Sequence, residues 1–118
     1  MQPQKLNREI VNGINVSRDC ERICTETVVY CLQMGGKHAA ADHIQLLIDC
    51  ADICHLTGQF LLRSGTHHNR IANACAEVCD TCAESCEQFS DQPMVECAKA
   101  CRTCAEACRK AAAVKMRP

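Results

Sequence analysis

CAEVCDTCAESC at residues 75–86, and its near copy CAKACRTCAEAC at residues 97–108, decide the fold. In each, cysteines stand at positions i, i+4, i+7 and i+11. A helical residue turns about 100° past the one before it, so the four fall within an arc of about 60° on one face. An arc that narrow is the seam a bundle helix turns toward its neighbours.

The same template extends over the rest of the chain. Cys75, Cys79, Cys82 and Cys86 fill it in the first stretch, and Cys97, Cys101, Cys104 and Cys108 in the second. Upstream it reads Cys20, Cys24, Thr27, Cys31, and then Cys50, Cys54, Thr57, Leu61. All 13 cysteines of the 118-residue chain lie in this template, and the likeness of the last two groups reads as an internal duplication.

Punctuation divides the chain into four helices. Gly35-Gly36 closes the first, which starts between Leu6 and Val16. The second runs from about Ala40 to Leu62 and stops near Ser64-Gly65. Thr66 is placed to cap the third, which continues to about Phe89; Ser90 or Asp91 caps the fourth, with Pro93 in its first turn. Short connections imply antiparallel neighbours. The expected fold is all-α: one domain over residues 1–118, an up-down-up-down four-helix bundle with a cysteine-lined core. Between Gln2 and Val16, Asn12-Gly13 reads as a kink or a break, which leaves room for a short extra N-terminal helix.

Composition narrows the function. A formal net charge of −1 argues against a nucleic-acid partner held by phosphate neutralisation. No apolar run approaches the length of a membrane span. Met1 to Cys20 is polar, without a signal-peptide core or a twin-arginine pair, so a cytosolic protein is expected. Cysteine makes up about 11% of the chain, a density that in secreted mini-proteins means disulfides. Here the count is odd, no export signal is visible and the spacing is helical, which points instead to free thiols in a reducing compartment.

A lone buried cysteine is usually a small core residue. Thirteen on four aligned faces are not, because a purely structural core would use Leu, Ile and Ala there. Cysteines at i and i+4 carry Cβ atoms about 5–6 Å apart, close enough for both sulfurs to reach one ion. That suits Cu(I), which is content with two or three soft ligands. Zinc is the competitor, held by four thiolates, but each such site carries a net −2 and several buried together repel. One Cu(I) per thiolate is neutral. The ferredoxin pattern C-x₂-C-x₂-C-x₃-C-P is absent, which disfavours an iron–sulfur cluster.

Over roughly Val16 to Lys110, the repeated C-x₃-C-x₂-C-x₃-C of the last two helices, the C-x₃-C pairs of the first two and the missing signal resemble the cytosolic branch of the bacterial copper storage proteins. The resemblance implies a four-helix bundle whose core thiolates bind many Cu(I) ions, often as a tetramer, for storage and protection from copper toxicity. Thr27, Thr57 and Leu61 in template slots depart from the richest members and imply a smaller capacity.

In this topology Met34, His38, His43 and Met94 share one pole. Met34 and His43 also continue the cysteine stripes. Thioether and imidazole are weaker Cu(I) ligands than thiolate, so Met34, His43 and Met94 are candidate ligands at a mouth, with His38 facing solvent. His67 and His68 lie at the opposite pole, off the pattern, as loop caps, and His55 projects outward. The acidic face Glu77, Asp80, Glu84, Glu87 and the basic face Lys99, Arg102, Arg109, Lys110 are placed to pair across the third and fourth helices. Val11, Val29, Leu32, Ile44, Ile48, Leu56, Phe60 and Leu62 spread apolar surface beyond the seam, which implies a homo-oligomer through the first two helices. No catalysed reaction is expected. A thiol-redox enzyme would want a low-pKa cysteine at a helix N-terminus, and a chaperone would need only one exposed pair. A zinc-binding or thiol-redox helical protein is the alternative reading.

Overall fold

The computed structural model describes residues 7–115. Within them run α1 (Arg8–Met34), a 3₁₀ turn (Gly36–Ala39), α2 (Ala41–Arg63), α3 (His68–Cys86) and α4 (Gln92–Ala112), with no strand among the described residues. Each helix packs on its two neighbours, and α4 closes the ring against α1. This is the antiparallel four-helix bundle expected.

Local chemistry sets the boundaries. Asn7 caps α1, its Oδ1 accepting from the Glu9 N–H at 2.7 Å, and Glu9 adds negative charge in the first turn. Gly35 and Gly36 have φ of 72° and 57°, a left-handed region where glycine carries no Cβ penalty, and they turn the chain into the 3₁₀ segment. Ser64 ends α2 with φ 51°, its N–H bonded to the Phe60 and Leu61 carbonyls. Pro93 sits in the first turn of α4, where its missing N–H costs nothing.

Three expectations change. His67, not Thr66, occupies the N-cap position of α3, and no side chain bonds there. α3 ends at Cys86, short of Phe89. α1 is continuous through Asn12-Gly13, so there is no break and no separate N-terminal helix among the described residues. Gly13 is there for closeness: a Cβ at this position would lie 3.0 Å from Leu61 Cδ1 and 3.1 Å from Ala111 Cβ.

The core has two parts. The larger holds all the cysteines with Leu47, Met94 and a set of alanines (Ala72, Ala76, Ala83, Ala98, Ala105) that let the helices approach closely around the sulfurs. The smaller, Ile10, Ile14, Leu61 and Ala111 with Val114 against it, closes the end where α1 starts and α4 stops. Outside, Arg102 bonds Asp80 at 3.1 Å and Glu87 at 2.7 Å, and Arg109 also pairs with Asp80. These bridges stitch α3 to α4; exposed pairs of this kind contribute little each. Val11, Val29, Leu32, Ile48, Leu56 and Leu62 remain exposed, whereas Ile44 and Phe60 are half-buried. No helix among the described residues is long and apolar enough to cross a membrane.

Gly13 gives a test of the tight α1–α2–α4 crossing. Gly13→Val adds volume against Leu61 and Ala111 and is expected to cost about 1–3 kcal/mol, read by chemical denaturation of the reduced apo-protein.

Candidate metal centre

All 13 cysteines are free and buried. Their sulfurs form a continuous ladder. At one end Cys108 lies 3.9 Å from Cys104, which lies 3.8 Å from Cys54. Cys54 is 3.8 Å from both Cys75 and Cys79, and Cys79 is 3.7 Å from Cys50. Cys101 then stands 4.0 Å from Cys50, 4.0 Å from Cys20 and 3.7 Å from Cys24. Cys82, Cys86 and Cys97 extend the sulfur contacts toward the other end.

Three four-sulfur groups stand out: Cys20, Cys24, Cys50, Cys101; Cys20, Cys50, Cys54, Cys79; and Cys54, Cys75, Cys79, Cys104. Within each, all sulfurs lie within 4.8 Å of one another. The middle group shares two sulfurs with each of the others. Every group draws on three of the helices, so the fold assembles the sites.

The electrostatics follow from dryness. Burial pushes the Cys31 thiol up to about 11. Cys101, hydrogen-bonded to Cys20, Cys24, Cys50 and Cys82 and desolvated, is held well above the usual thiol range. Cys82 is drawn down, chiefly by its hydrogen bond with Cys101. An anionic sulfur in the middle of this ladder is solvated chiefly by neighbouring S–H groups, which are weak donors. Replacing those protons with soft monovalent cations satisfies every sulfur without adding charge to the core.

At the far end Cys31 Sγ lies 3.5 Å from Met94 Sδ and 3.6 Å from His43 Nε2. All three residues are buried. Ser85 Oγ is 2.7 Å from His43 Nδ1; with the Nδ1–H donating to that hydroxyl, Nε2 keeps its lone pair for an ion. Burial lowers the His43 pKa, which favours the neutral, ligating imidazole.

Of the expected mouth residues, then, His43 and Met94 meet at Cys31. Met34 does not join them: it lies in the last turn of α1 and is 52% exposed. His38 is not simply solvated, because its Nε2 bonds Asp91 Oδ2 at 3.0 Å and its ring stacks on Phe89. His55 is exposed and pairs with Glu21. At the other pole His67 is exposed, but His68 is buried, with its Nε2–H donating to the Val114 carbonyl at 2.9 Å. It belongs to the seam after all, since His68, Ala72 and Cys75 keep the four-then-three step.

Sequence reasoning missed two residues. Ser17, fully buried, places its hydroxyl 3.7 Å from Cys108 and 3.8 Å from Cys104; its signal was its position three residues before Cys20 on the same face. Ser85, the partner of His43, had none. The hydroxyls in the vacant slots differ. Thr27 donates back to the Ile23 carbonyl at 2.7 Å, whereas Thr57 Oγ1 is buried without a partner.

Fold and ladder together define a helical bundle with a thiol core suited to several soft ions. Residues 6–113 match the family described as Csp, copper storage protein, and the chain belongs to that family. It is similar to the Nmul_A1745 protein of Nitrosospira multiformis, whose crystal structure superposes with a TM-score of 0.86 at 40% identity over 92% of this chain and 98% of that one. The Cu(I)-bound copper storage protein BsCsp3 gives a TM-score of 0.84 at 32% identity, over 90% of this chain and 100% of that one. The apo form of copper storage protein 3 from Bacillus subtilis gives 0.77 at 33% identity, over 86% and 96%. An uncharacterized cysteine-rich protein, YhjQ of Bacillus subtilis (strain 168), is 35% identical over 68 residues, 58% of this chain. The match spans 63% of that relative's length.

Because thiols such as Cys31 are protonated at neutral pH, loading with a thiophilic cation must expel protons. Titrating reduced apo-protein in weak buffer is expected to acidify the solution, each cation that displaces a thiol proton such as that of Cys31 releasing one proton. Apparent affinity is expected to fall as pH falls, since protons then compete better for the same sulfurs. A pH-stat and a competition titration at two pH values measure both.

Proposed function

We propose that this protein stores multiple Cu(I) ions on its core thiolates in the cytosol, protecting the cell from copper toxicity, and catalyses no reaction. The observation that carries this is the run of buried, free sulfurs 3.7–4.0 Å apart from Cys108 to Cys24, with no buried Lys or Arg among the described residues to balance a multiply charged core. One Cu(I) in place of each thiol proton keeps every occupancy neutral. The solved Cu(I)-bound state of BsCsp3 supports the same cargo here. Cys31, His43 and Met94, a softer and weaker set at one pole, serve as the port. The burial of every cysteine speaks against a thiol-redox enzyme, whose nucleophile has to meet a partner. The exposed apolar face of α1 and α2 supports a homo-oligomer, a tetramer by family resemblance.

A zinc reading has one observation in its favour. A tetrahedral ion about 2.3 Å from four sulfurs needs an edge of about 3.8 Å, and the Cys54, Cys75, Cys79, Cys104 group has three edges of 3.8 Å. Two such groups, sharing no sulfur, would each carry −2 in a core with no buried Lys or Arg among the described residues, so Cu(I) remains the better cargo.

Capacity decides between these readings. Titration of reduced apo-protein with Cu(I) is expected to saturate near one ion per cysteine, with thiol reactivity almost abolished. Saturation at one or two ions would sink storage, and preferential retention of two Zn(II) against Cu(I) would favour zinc. Assembly has its own test. Leu32 and Ile48 line one shallow groove with Ile44, Ala39 and Ala41, and replacing both with Lys is expected to reduce the mass seen by light scattering to that of a smaller species. An unchanged mass would move the interface elsewhere.

A further inference from the structure

The three port ligands are closed off. Cys31 and Met94 are 0% exposed and His43 is 4% exposed, so an ion reaches them only after something moves. Against the His43 ring lies Phe89, with 5.1 Å between the ring centroids. Phe89 stands in the connection between α3 and α4, outside both helices, and its N–H bonds the Cys86 carbonyl at 3.1 Å. On its other side lies the His38 ring, 4.2 Å away between centroids.

His38 is itself tied down. Its Nε2–H donates to Asp91 Oδ2, and the Tyr30 hydroxyl donates to the same oxygen. The Tyr30 ring also meets His38 edge-on at 5.9 Å. Asp91 is the N-cap residue of α4, yet its side chain caps nothing. A capping aspartate normally bonds the first turn of its helix, so this carboxylate has been diverted to join α1, the 3₁₀ turn and the start of α4. The turn that carries His38 leaves α1 through Gly35 and Gly36, both at positive φ, with nothing within 4 Å of where a Cβ would stand. No side chain of these two residues restrains that backbone.

We propose that Phe89 is the gate of the metal port, and that Tyr30, Asp91 and His38 form the clamp that holds it shut. The inference rests on the reading of Cys31, His43 and Met94 as the port. Opening needs only local change: the two hydrogen bonds on Asp91 part, the 3₁₀ turn swings on its glycines, and the Phe89 ring leaves the face of His43. None of the four residues is a ligand in this account. They set how fast ions pass and leave unchanged how many are held.

A gate has a kinetic signature that a ligand or a packing residue lacks. It changes uptake and release by one common factor and leaves the equilibrium untouched. Stopped-flow uptake of Cu(I) and release to a coloured Cu(I) chelator would be compared in the full chain for wild type, Phe89→Ala and Tyr30→Phe. Phe89→Ala is expected to speed both by about tenfold, and Tyr30→Phe by a smaller common factor, with capacity and affinity as in wild type. Phe89→Leu, which keeps apolar bulk but removes the flat ring, carries the test if the alanine variant does not fold. Unchanged rates overturn the gate, and so does faster release alone with weakened affinity, which would make Phe89 a packing support for His43. The double variant His43→Leu/Met94→Leu separates the two claims. If it slows uptake while the Phe89 and Tyr30 variants behave as wild type, the port stands and the gate falls. If it does not slow uptake, the port reading fails and takes the gate with it.

Discussion

Everything in this molecule depends on keeping 13 ionisable sulfurs dry along one axis, nine of them within about 4 Å of a neighbouring sulfur. A thiol is small, so a seam of thiols draws the helices close, and the alanines beside the sulfurs on α3 and α4 permit it. Large rings would push the helices apart, and the only aromatics, Tyr30, Phe60 and Phe89, all lie outside the seam. The bundle thus gives up the burial of bulky side chains, normally about 1.5–3 kcal/mol each, for a core whose value lies in its chemistry. Ion pairs between α3 and α4 and the Ile10, Ile14, Leu61, Ala111 cluster make up part of what that core lacks.

The two ends of the axis are built for different tasks. Where α1 begins and α4 stops, aliphatic side chains fill the section, and Gly13 lets them interlock without a gap. Among the described residues the imidazole at that end is His68, whose Nε2 is committed to Val114 while its Nδ1 lies buried without a partner. At the other end the ladder finishes in a thioether and an imidazole beside the last thiol of α1, with rings and hydrogen bonds over them. Among the described residues, a thioether and an imidazole meet a thiol only at this second end, which distinguishes the two poles.

The helices and their seam were legible because both rest on one period. Cysteines at steps of four and three leave no other arrangement, and Gly35-Gly36 and Pro93 mark boundaries by backbone geometry alone. What escaped was whatever depends on a partner across the bundle. Asp91 has the composition of a cap, but Tyr30 and His38 arrive from α1 and the 3₁₀ turn and take its carboxylate. Gly13 looks like a helix breaker in sequence and is a contact residue in space. Met34 keeps the step of three from Cys31, yet it falls in the last turn of α1, where nothing faces it, and it stays exposed. His68 was the opposite case: its period was readable, and the neighbouring His67 and the nearby loop obscured it.

The sharing of sulfurs has a consequence for how such a core fills. Cys20 and Cys50 belong to two four-sulfur groups, and so do Cys54 and Cys79. An ion placed in the middle group takes ligands from both flanking groups, so no site along this part of the ladder is independent of the next. With a divalent ion, each step would alter the charge of a region that has no buried counter-charge, and the cost would grow with occupancy. With a monovalent ion replacing a proton, the charge is the same at every step, and only the bonding changes. A core of overlapping sites suits that second kind of exchange best. The overlap itself, more than the number of cysteines, is what makes this arrangement fit to hold ions in variable number.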